Sequence, residues 1–335
     1  MPALVATQRC PLCERDAALA RELYPPGPAG VGISRCERCG LAFATSGATA
    51  ADLGAEYDAR AARDRDDGAV SAVGRVRPGV ARKWARLDLY DRLSHHRIRA
   101  PHPGSRALDI GCNTGLLLDA LHELGYRTEG IERSPAAADA IAAGHRIHRA
   151  DIEGASDLGV RFDLITMTHV LEHLRRPVAA LKWVRRHLAP GGLAVVEVPN
   201  FDDLARERWG LAYRPLELGD HLSFFDRKTL GCALERAELT TLELWSAPQA
   251  GSLLFPSLLR GLDLGLGLLR RVRRGSDRSP SSAGGSGRVR GGGPLGRLTE
   301  RILGELDRVD PALEERFGAE CAWGANLVAL VALPN

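Results

Sequence analysis

From about residue 106 onward, short apolar runs alternate with stretches whose apolar residues recur at helical spacing. The runs predict strands at 106–112, 127–132, 146–150, 162–168 and 192–200, with helices between them at 115–124, 135–143 and 177–188. Two β-rich runs near the end predict two more strands at 240–246 and 325–333. Strands that alternate with helices form parallel sheets covered on both faces. The pattern therefore predicts a doubly wound α/β fold with a mostly parallel, seven-stranded sheet.

The flanking segments follow other patterns. Apolar residues at near-helical spacing predict an amphipathic helix over 81–99. Between the last two strands lies an insertion with a leucine-rich run, four arginines within 270–274, a Gly/Ser/Arg/Pro linker at about 275–294 that we expect to be disordered, and an amphipathic helix near 295–308. The predicted domains are a zinc ribbon at 1–45, a helical connector at 46–100, a core at 101–250, the insertion at 251–322 and a final core strand at 323–335.

Composition restricts the class of protein. The chain has 335 residues, 26% of them charged and 44% hydrophobic, as in water-soluble globular proteins. The net charge of +3 is too small by itself to indicate nucleic acid as a partner. The N-terminal sequence shows no secretory signal, and the leucine-rich run is interrupted by Pro256, Arg260 and Asp263. We therefore expect a cytoplasmic protein, in which disulfides are rare.

Four of the seven cysteines form two Cys-x-x-Cys pairs, Cys10 with Cys13 and Cys36 with Cys39. Each pair presents two thiolates from one tight turn, and two pairs complete a tetrahedral zinc site. Such a site would be structural, because protein sulfur fills all four positions, and it would hold together a segment too small to fold by apolar burial. Unrelated buried thiols and a redox pair are the alternatives.

A glycine-rich turn follows the first core strand. It runs through Asp109, Gly111, Cys112, Asn113 and Gly115 and opens the next predicted helix. Its spacing fits neither the Gly-x-Gly-x-x-Gly nor the phosphate-loop pattern. Glycines at these positions would let the backbone approach a ligand closely. By itself the turn is weak support for a nucleotide-like ligand.

Carboxylates also follow the next two strands. Glu132 ends the second strand and is placed to bind ribose hydroxyls, while Asp151 and Ile152 follow the third, where they would contact a base. Together with Asp109, these acids fall on the sheet edge where ligands bind in open α/β folds. Three solvated loop acids are the alternative.

From about 106 to 246 the chain resembles the class I S-adenosylmethionine-dependent methyltransferases. The resemblance rests on the Asp109–Gly115 loop, the Phe162–Leu174 stretch and the Leu188-Ala-Pro-Gly-Gly turn; Val198-Pro-Asn, Trp209 and His221-Leu-Ser-Phe-Phe are similar to one bacterial branch that also carries an N-terminal zinc ribbon. Many members of that branch accompany glycan or other secondary pathways.

The resemblance implies roles for the residues of the loop and of the neighbouring strands. It places Asp109, Gly111 and Gly115 around the amino-acid end of S-adenosylmethionine, Glu132 at the ribose, and Asp151 with Ile152 at the adenine. Asn113 departs from the family's middle glycine, but Asn tolerates positive φ, so we expect the turn to survive.

The segment after the fourth strand supplies candidate bases. His169 and His173 lie four residues apart and would share a face if a helix began there. His221 is a separate candidate on a later loop. A scaffold role is the alternative, mainly for His173, and a metal pair of His169 and His173 lacks an apparent third ligand. We name His169 or His221 as the base.

The absence of an [Asp/Asn]-Pro-Pro-[Tyr/Phe] motif after the fourth strand disfavours methylation of DNA amines. We therefore predict in-line methyl transfer to an oxygen, or secondarily a carbon, of a small-molecule or sugar-containing acceptor. An RNA or protein methyltransferase and an inert zinc-ribbon binding protein are alternatives. Residues 252–274 form a lid or dimer element, or else contact an anionic membrane. Nucleic acid is not an expected partner, and the oligomeric state stays open.

Overall fold

A computed structural model of the protein describes residues 9–16, 20–26, 31–45, 101–203, 206, 210, 216, 220–247 and 326–334. The helices expected at 81–99 and 295–308, the leucine-rich run, the arginine cluster, the linker and Trp209 lie outside these residues. The chain divides into two compact units. One unit comprises Met1–Asp202, Pro215–Ala247 and Asn326–Asn335, and the other comprises Asp203–Arg214 and Pro248–Ala325.

The larger sheet in the first unit has the seven strands that the sequence predicts. In chain order they are β4 (Arg106–Ile110), β5 (Arg127–Ile131), β6 (Arg146–His148), β7 (Phe162–Thr168), β8 (Leu188–Pro199), β10 (Thr240–Ala247) and β11 (Asn326–Ala332). Their order across the sheet is β10-β11-β8-β7-β4-β5-β6. The strands β4 to β8 run parallel to their neighbours, while β11 is antiparallel to β8 and to β10. The predicted fold class is confirmed.

Helices cover both faces of this sheet, which explains why its central strands β4 and β7 are buried along most of their length. Adjacent residues of β7 face opposite sides of the sheet: Leu164 belongs to one apolar cluster, and Ile165 and Met167 belong to the other. Each central strand therefore has a core on either side. The α-helices among the described residues are α1 (Leu116–Glu123), α2 (Ala137–Ala142), α3 (Pro177–His187) and α4 (Arg227–Arg236).

Local signals set the helix ends. Pro177 occupies the first turn of α3, where a missing N–H costs nothing, and Arg185 and Arg186 in the last turn complement the helix dipole. Asp226 caps α4: its side chain accepts a hydrogen bond from the backbone N–H of Thr229, and the Thr229 hydroxyl bonds the backbone of Asp226 in return.

A smaller sheet combines the N-terminal segment with a strand from the core. Its order is β1 (Ala20–Tyr24), β2 (Ile33–Cys36), β3 (Ala42–Ala44) and β9 (Ser223–Phe224), all antiparallel. Phe43 of this sheet is fully buried in the same cluster as residues of α3 and α4. A segment of 45 residues buries too little apolar surface alone, which explains why the N-terminal sheet shares the core of the larger one.

Among the described residues, no helix has the length and apolarity that crossing a membrane requires.

Candidate functional site

The glycine-rich turn leaves β4 with a backbone that requires glycine. Gly111 has φ +76°, and a Cβ atom there would lie 2.5 Å from Cγ2 of Val170. Asn113 has φ +49°, so the expectation that asparagine tolerates this turn is confirmed. The turn thus brings bare backbone to the carboxyl end of β4.

Other predicted residues of the turn lie outside the cavity wall and pack against the neighbouring elements. Asp109 is buried and accepts a hydrogen bond from the Thr166 hydroxyl at 2.7 Å. Gly115 packs against α2, since a Cβ there would lie 2.9 Å from Cβ of Ala140. Cys112 is buried, and burial together with the charges of Asp109 and Glu132 raises the pKa of its thiol, so it stays a neutral, inert thiol.

Glu132 follows β5 and is held by the backbone. Its two carboxylate oxygens accept separate N–H bonds, one from Asn113 at 2.9 Å and one from Ser134 at 2.7 Å. The side chain is 2% exposed and forms part of a cavity wall. The same carboxylate therefore fixes the glycine-rich turn and faces the cavity.

Asp151 and Ile152 form the next part of the wall. Asp151 caps the short 3-10 turn Ile152–Gly154, with its carboxylate accepting the backbone N–H of Glu153 at 2.9 Å. Its other oxygen lies 3.8 Å from the Arg133 guanidinium. Ile152 is buried against the main core and offers an apolar surface to the cavity.

A cavity that is partly open to solvent lies at the carboxyl ends of β4, β5 and β7. Of the residues predicted from the sequence, its walls contain Gly111, Glu132, Asp151, Ile152, His169 and His173; Asp109, Cys112, Asn113, Gly115 and His221 are not in its walls. The remaining wall residues are Ile110, Ile131, Arg133, Ala150, Glu153, Val170, Leu174, Arg175 and Asp220.

His169 stands between two buried carboxylates. Its Nδ1 lies 3.2 Å from Oε1 of Glu172 and its Nε2 lies 3.4 Å from Oε1 of Glu197. Burial alone lowers the pKa of His169, but its bonds to Glu172 and Glu197 outweigh burial and raise the pKa to about 9. Both ring nitrogens therefore hold protons at neutral pH, which does not favour His169 as a base.

The conditional expectation of a helix beginning at His169 does not hold. His169 has φ +53°, and only the 3-10 turn Leu171–His173 follows. Glu172 and His173 of this turn and His221 converge: ligand atoms of the three side chains lie within 4.8 Å of one another. The His173 and His221 rings meet edge to face, with centroids 4.7 Å apart. The structure thus joins the separate candidate His221 to His173 through tertiary contacts.

Residues 80–244 match a family model whose description is "Methyltransferase domain". This part of the chain is a methyltransferase domain. Its cavity lies at the carboxyl edge of the sheet, and its strand order and connections are those of the Rossmann-like class I methyltransferase fold.

The methyltransferase domain is similar to curated O-methyltransferases over part of their length. A ubiquinone biosynthesis O-methyltransferase of Xanthomonas campestris pv. campestris (strain B100) is 29% identical over 118 residues, 32% of this chain and 49% of the relative. One from Cereibacter sphaeroides (strain ATCC 17025) is 36% identical over 107 residues, 30% of this chain and 43% of the relative. The chain thus spans less than half the length of these relatives.

Similar solved structures include other methyltransferases. CalS10 of Micromonospora echinaspora, an amino pentose methyltransferase, is 33% identical over 33% of this chain and 48% of its own, with a TM-score of 0.29. A chain from the complex of the Haloferax volcanii Trm112 activator with a methyltransferase is 17% identical. The match covers 84% of this chain and 98% of that one, with a TM-score of 0.46.

The methyltransferase domain has site residues that the sequence analysis missed. Glu197 of β8 is 2% exposed and contacts both His169 and the Asn326 amide, whose Nδ2 donates to Oε1 of Glu197 at 2.8 Å. An acid inside the apolar run of β8 was the available signal. Val170 and Asp220 carried no such signal, because only the fold brings them to the cavity.

The four cysteines of the two Cys-x-x-Cys pairs form one cluster. Cys10 Sγ lies 3.5 Å from Cys39 Sγ, and Cys13 Sγ lies 3.5 Å from Cys36 Sγ. All four sulfurs lie within 4.8 Å of one another. Tetrahedral zinc with Zn–S bonds of ~2.3 Å requires sulfurs ~3.8 Å apart, so the cluster has the size of a zinc site.

Proposed function

We propose that this protein transfers the methyl group of S-adenosylmethionine to an oxygen of a small-molecule or sugar-containing acceptor, with a carbon acceptor as the second choice. The observation that carries the proposal is the cavity at the carboxyl edge of the sheet, which combines bare backbone at Gly111 with the carboxylates of Glu132 and Asp151. The names of the curated relatives support oxygen as the acceptor atom.

The residues of this edge fit S-adenosylmethionine. Glu132 would hold the ribose hydroxyls, and Asp151 with Ile152 would hold the adenine. In the turn, Gly111 brings backbone without a side chain to the cavity, as the close approach of a ligand requires. When bound, the cofactor supplies a methyl group already activated on a sulfonium. Asp109 stays behind the turn and holds its shape.

The acceptor would occupy the part of the cavity beside His169 and His173. An acceptor hydroxyl has to lose its proton. Of the predicted bases, His173 lies in this wall and His221 contacts it, while His169 is already protonated and can only donate hydrogen bonds. We propose that the cluster they form with Glu172 orients the acceptor oxygen and handles its proton. The domain itself would accelerate the reaction by orienting the acceptor oxygen toward the methyl group and by excluding water.

We further propose that the Cys10, Cys13, Cys36 and Cys39 cluster holds structural zinc. The sulfur spacing supports it, and a metal would offset the small apolar core of the N-terminal sheet. A cytoplasmic location, where such thiols stay reduced, is part of the same proposal.

Cofactor binding is the first test. Calorimetric titration with S-adenosylhomocysteine should give one site per chain. Replacing Asp109 by Ala should abolish this binding, because the turn loses the support of the Thr166 contact. The matched control is Asp163→Ala, since Asp163 accepts the backbone N–H of Arg106 at the opposite edge of the sheet. No binding by the unmodified protein would refute the enzyme and favour the inert binding protein.

Acceptor class is the second test. The protein is incubated with methyl-labelled S-adenosylmethionine and a host extract separated into small-metabolite, lipid, protein and RNA fractions. Label in the small-metabolite or lipid fraction supports the proposal, and mass spectrometry then identifies the acceptor. Label in RNA or protein would refute the proposed substrate class and favour the macromolecular alternative.

A further inference from the structure

We propose that Glu172, His173 and His221 form a divalent-cation site at the edge of the cavity. The three ligand atoms lie within 4.8 Å of one another, a separation that one ion can bridge. The site is distinct from the four-cysteine cluster, because it offers imidazole and carboxylate rather than thiolate ligands. It deepens the proposed function, since a cation beside the acceptor would bind acceptor oxygen.

The hydrogen bond of His173 orients its ring for a cation. Nδ1 of His173 lies 3.0 Å from the backbone carbonyl oxygen of Asp220. A carbonyl can only accept, so Nδ1 carries the proton and Nε2 presents its lone pair. Metal-binding histidines in proteins are held by this kind of bond from the other ring nitrogen. His173 and Asp220 both lie in the cavity wall, which places the site within reach of an acceptor.

Glu172 has an oxygen that the described residues do not satisfy. The residue is 1% exposed, and its Oε1 contacts Nδ1 of His169 at 3.2 Å. Its Oε2 is buried and has no hydrogen-bond partner among the residues that the structure describes. Burying a carboxylate oxygen without a partner is costly. A cation in contact with Oε2 would remove that cost.

The backbone holds His221 beside the other two residues. The N–H of Leu222 donates to the carbonyl oxygen of Glu172 at 2.9 Å, which ties the His221 loop to the 3-10 turn. Nε2 of His221 lies 4.0 Å from Oε1 of Glu172, and the ring is buried. The Leu222–Glu172 bond and the His173–Asp220 bond therefore hold the three residues near one another before any ion arrives, as a preorganised site requires.

The ligand set indicates the kind of cation. Two imidazoles and one carboxylate suit first-row divalent ions such as Mn²⁺, Fe²⁺ or Zn²⁺ better than Ca²⁺. Three protein ligands leave coordination positions open, as in sites that bind a substrate. Mn²⁺ is a suitable probe, because thiolates select softer ions and the four-cysteine cluster should ignore it.

The test titrates the full-length protein with Mn²⁺ and follows the free-ion signal by electron paramagnetic resonance. We expect about one Mn²⁺ per chain in addition to the metal of the cysteine cluster, as for a preformed single site. His173→Gln and His221→Gln should each weaken Mn²⁺ binding by at least about tenfold. The matched control is His148→Gln, because His148 bonds Glu129 away from the cavity and its loss should leave Mn²⁺ affinity unchanged.

Two further measurements separate the outcomes. Elemental analysis before titration shows whether Zn²⁺ already fills the site. About two Zn²⁺ ions per chain in the unmodified protein, and about one in His173→Gln, would support the proposed site. Affinity for S-adenosylhomocysteine, measured on every variant, reports folding and the proposed function. Intact cofactor affinity with neither a second ion nor Mn²⁺ binding would overturn the metal site alone. Mn²⁺ affinity that is unchanged in both His173→Gln and His221→Gln would also overturn it.

Discussion

Glu132→Gln offers the sharpest test of how the sheet edge is built. In the protein, each carboxylate oxygen of Glu132 accepts one backbone N–H, at 2.9 Å from Asn113 and 2.7 Å from Ser134. Glutamine keeps the shape but replaces one oxygen by an NH₂ group, which would face an N–H donor. One charged hydrogen bond is therefore lost from a buried position.

The loss of one hydrogen bond sets the expected changes in stability and in cofactor affinity. A hydrogen bond to a charged group contributes about 1.5–3 kcal/mol, so the free energy of unfolding should fall by about 2–3 kcal/mol. For a unit of this size that lowers Tm by roughly 4–12 °C. If the carboxylate also holds the ribose, affinity for S-adenosylhomocysteine should fall by about 10- to 100-fold.

Glu129→Gln is the matched control. Glu129 lies on β5, the strand that Glu132 follows; it is also buried and bonds His148 and Arg106, but it is not in the cavity wall. It should lower Tm without changing cofactor affinity. Differential scanning calorimetry gives the Tm of both variants, and titration calorimetry at a temperature well below both melting transitions gives their affinity for S-adenosylhomocysteine. Equal loss of affinity in the two, or an unchanged affinity in Glu132→Gln, would refute the assignment of Glu132.

Three other changes have defined outcomes. Gly111→Ala should destabilise the fold and reduce cofactor affinity, because its Cβ would lie 2.5 Å from Val170, and adding Val170→Ala should restore part of both; a double variant as weak as the single one would contradict the steric reason. Cys36→Ser should release zinc, measured by elemental analysis, while Cys232→Ser outside the cluster should not; full zinc occupancy in Cys36→Ser would refute the ribbon. Burial raises the pKa of Glu129, but its His148 bond and the Arg106 guanidinium outweigh burial and hold it below its ordinary 4.5. Because the folded pKa is depressed, this group stabilises the fold above pH ~4.5 and loses that effect as pH falls through the folded pKa. Acid unfolding should therefore be steeper in the wild type than in Glu129→Gln, and identical slopes would contradict the contact.

Element type could be predicted because apolar periodicity reflects burial directly. The strand at 162–168 was predicted over the same residues in which the structure has β7, and the helix at 177–188 ends one residue earlier, at His187. The strand predicted at 146–150 is shorter in the structure, Arg146–His148. It lies at the edge of the sheet and pairs only with β5, which ends at Ile131 opposite His148. Strand β9 was missed, because two residues carry no periodicity and gain their partner only from β3.

In the candidate site, too, some residues could be placed from the sequence and others only from the tertiary structure. Asp109, Glu132 and Asp151 could be placed at one edge from the sequence, because each follows a parallel strand and parallel strands end together. Only the tertiary structure decided which of them reach the cavity, and it put Asp109 behind the turn with Thr166. It also joined His221 to His173 across 48 positions of sequence through the Leu222 bond to Glu172.

The sequence by itself determined the alternation of strands and helices, the glycine-rich turn and the paired cysteines, because each depends on local periodicity or spacing. The tertiary structure decided that the N-terminal sheet takes its last strand from the core, that His169 stands between Glu172 and Glu197, and that Glu172, His173 and His221 converge. These are contacts between residues far apart in the chain. Their distances are set by how the layers pack, and no local pattern encodes that packing.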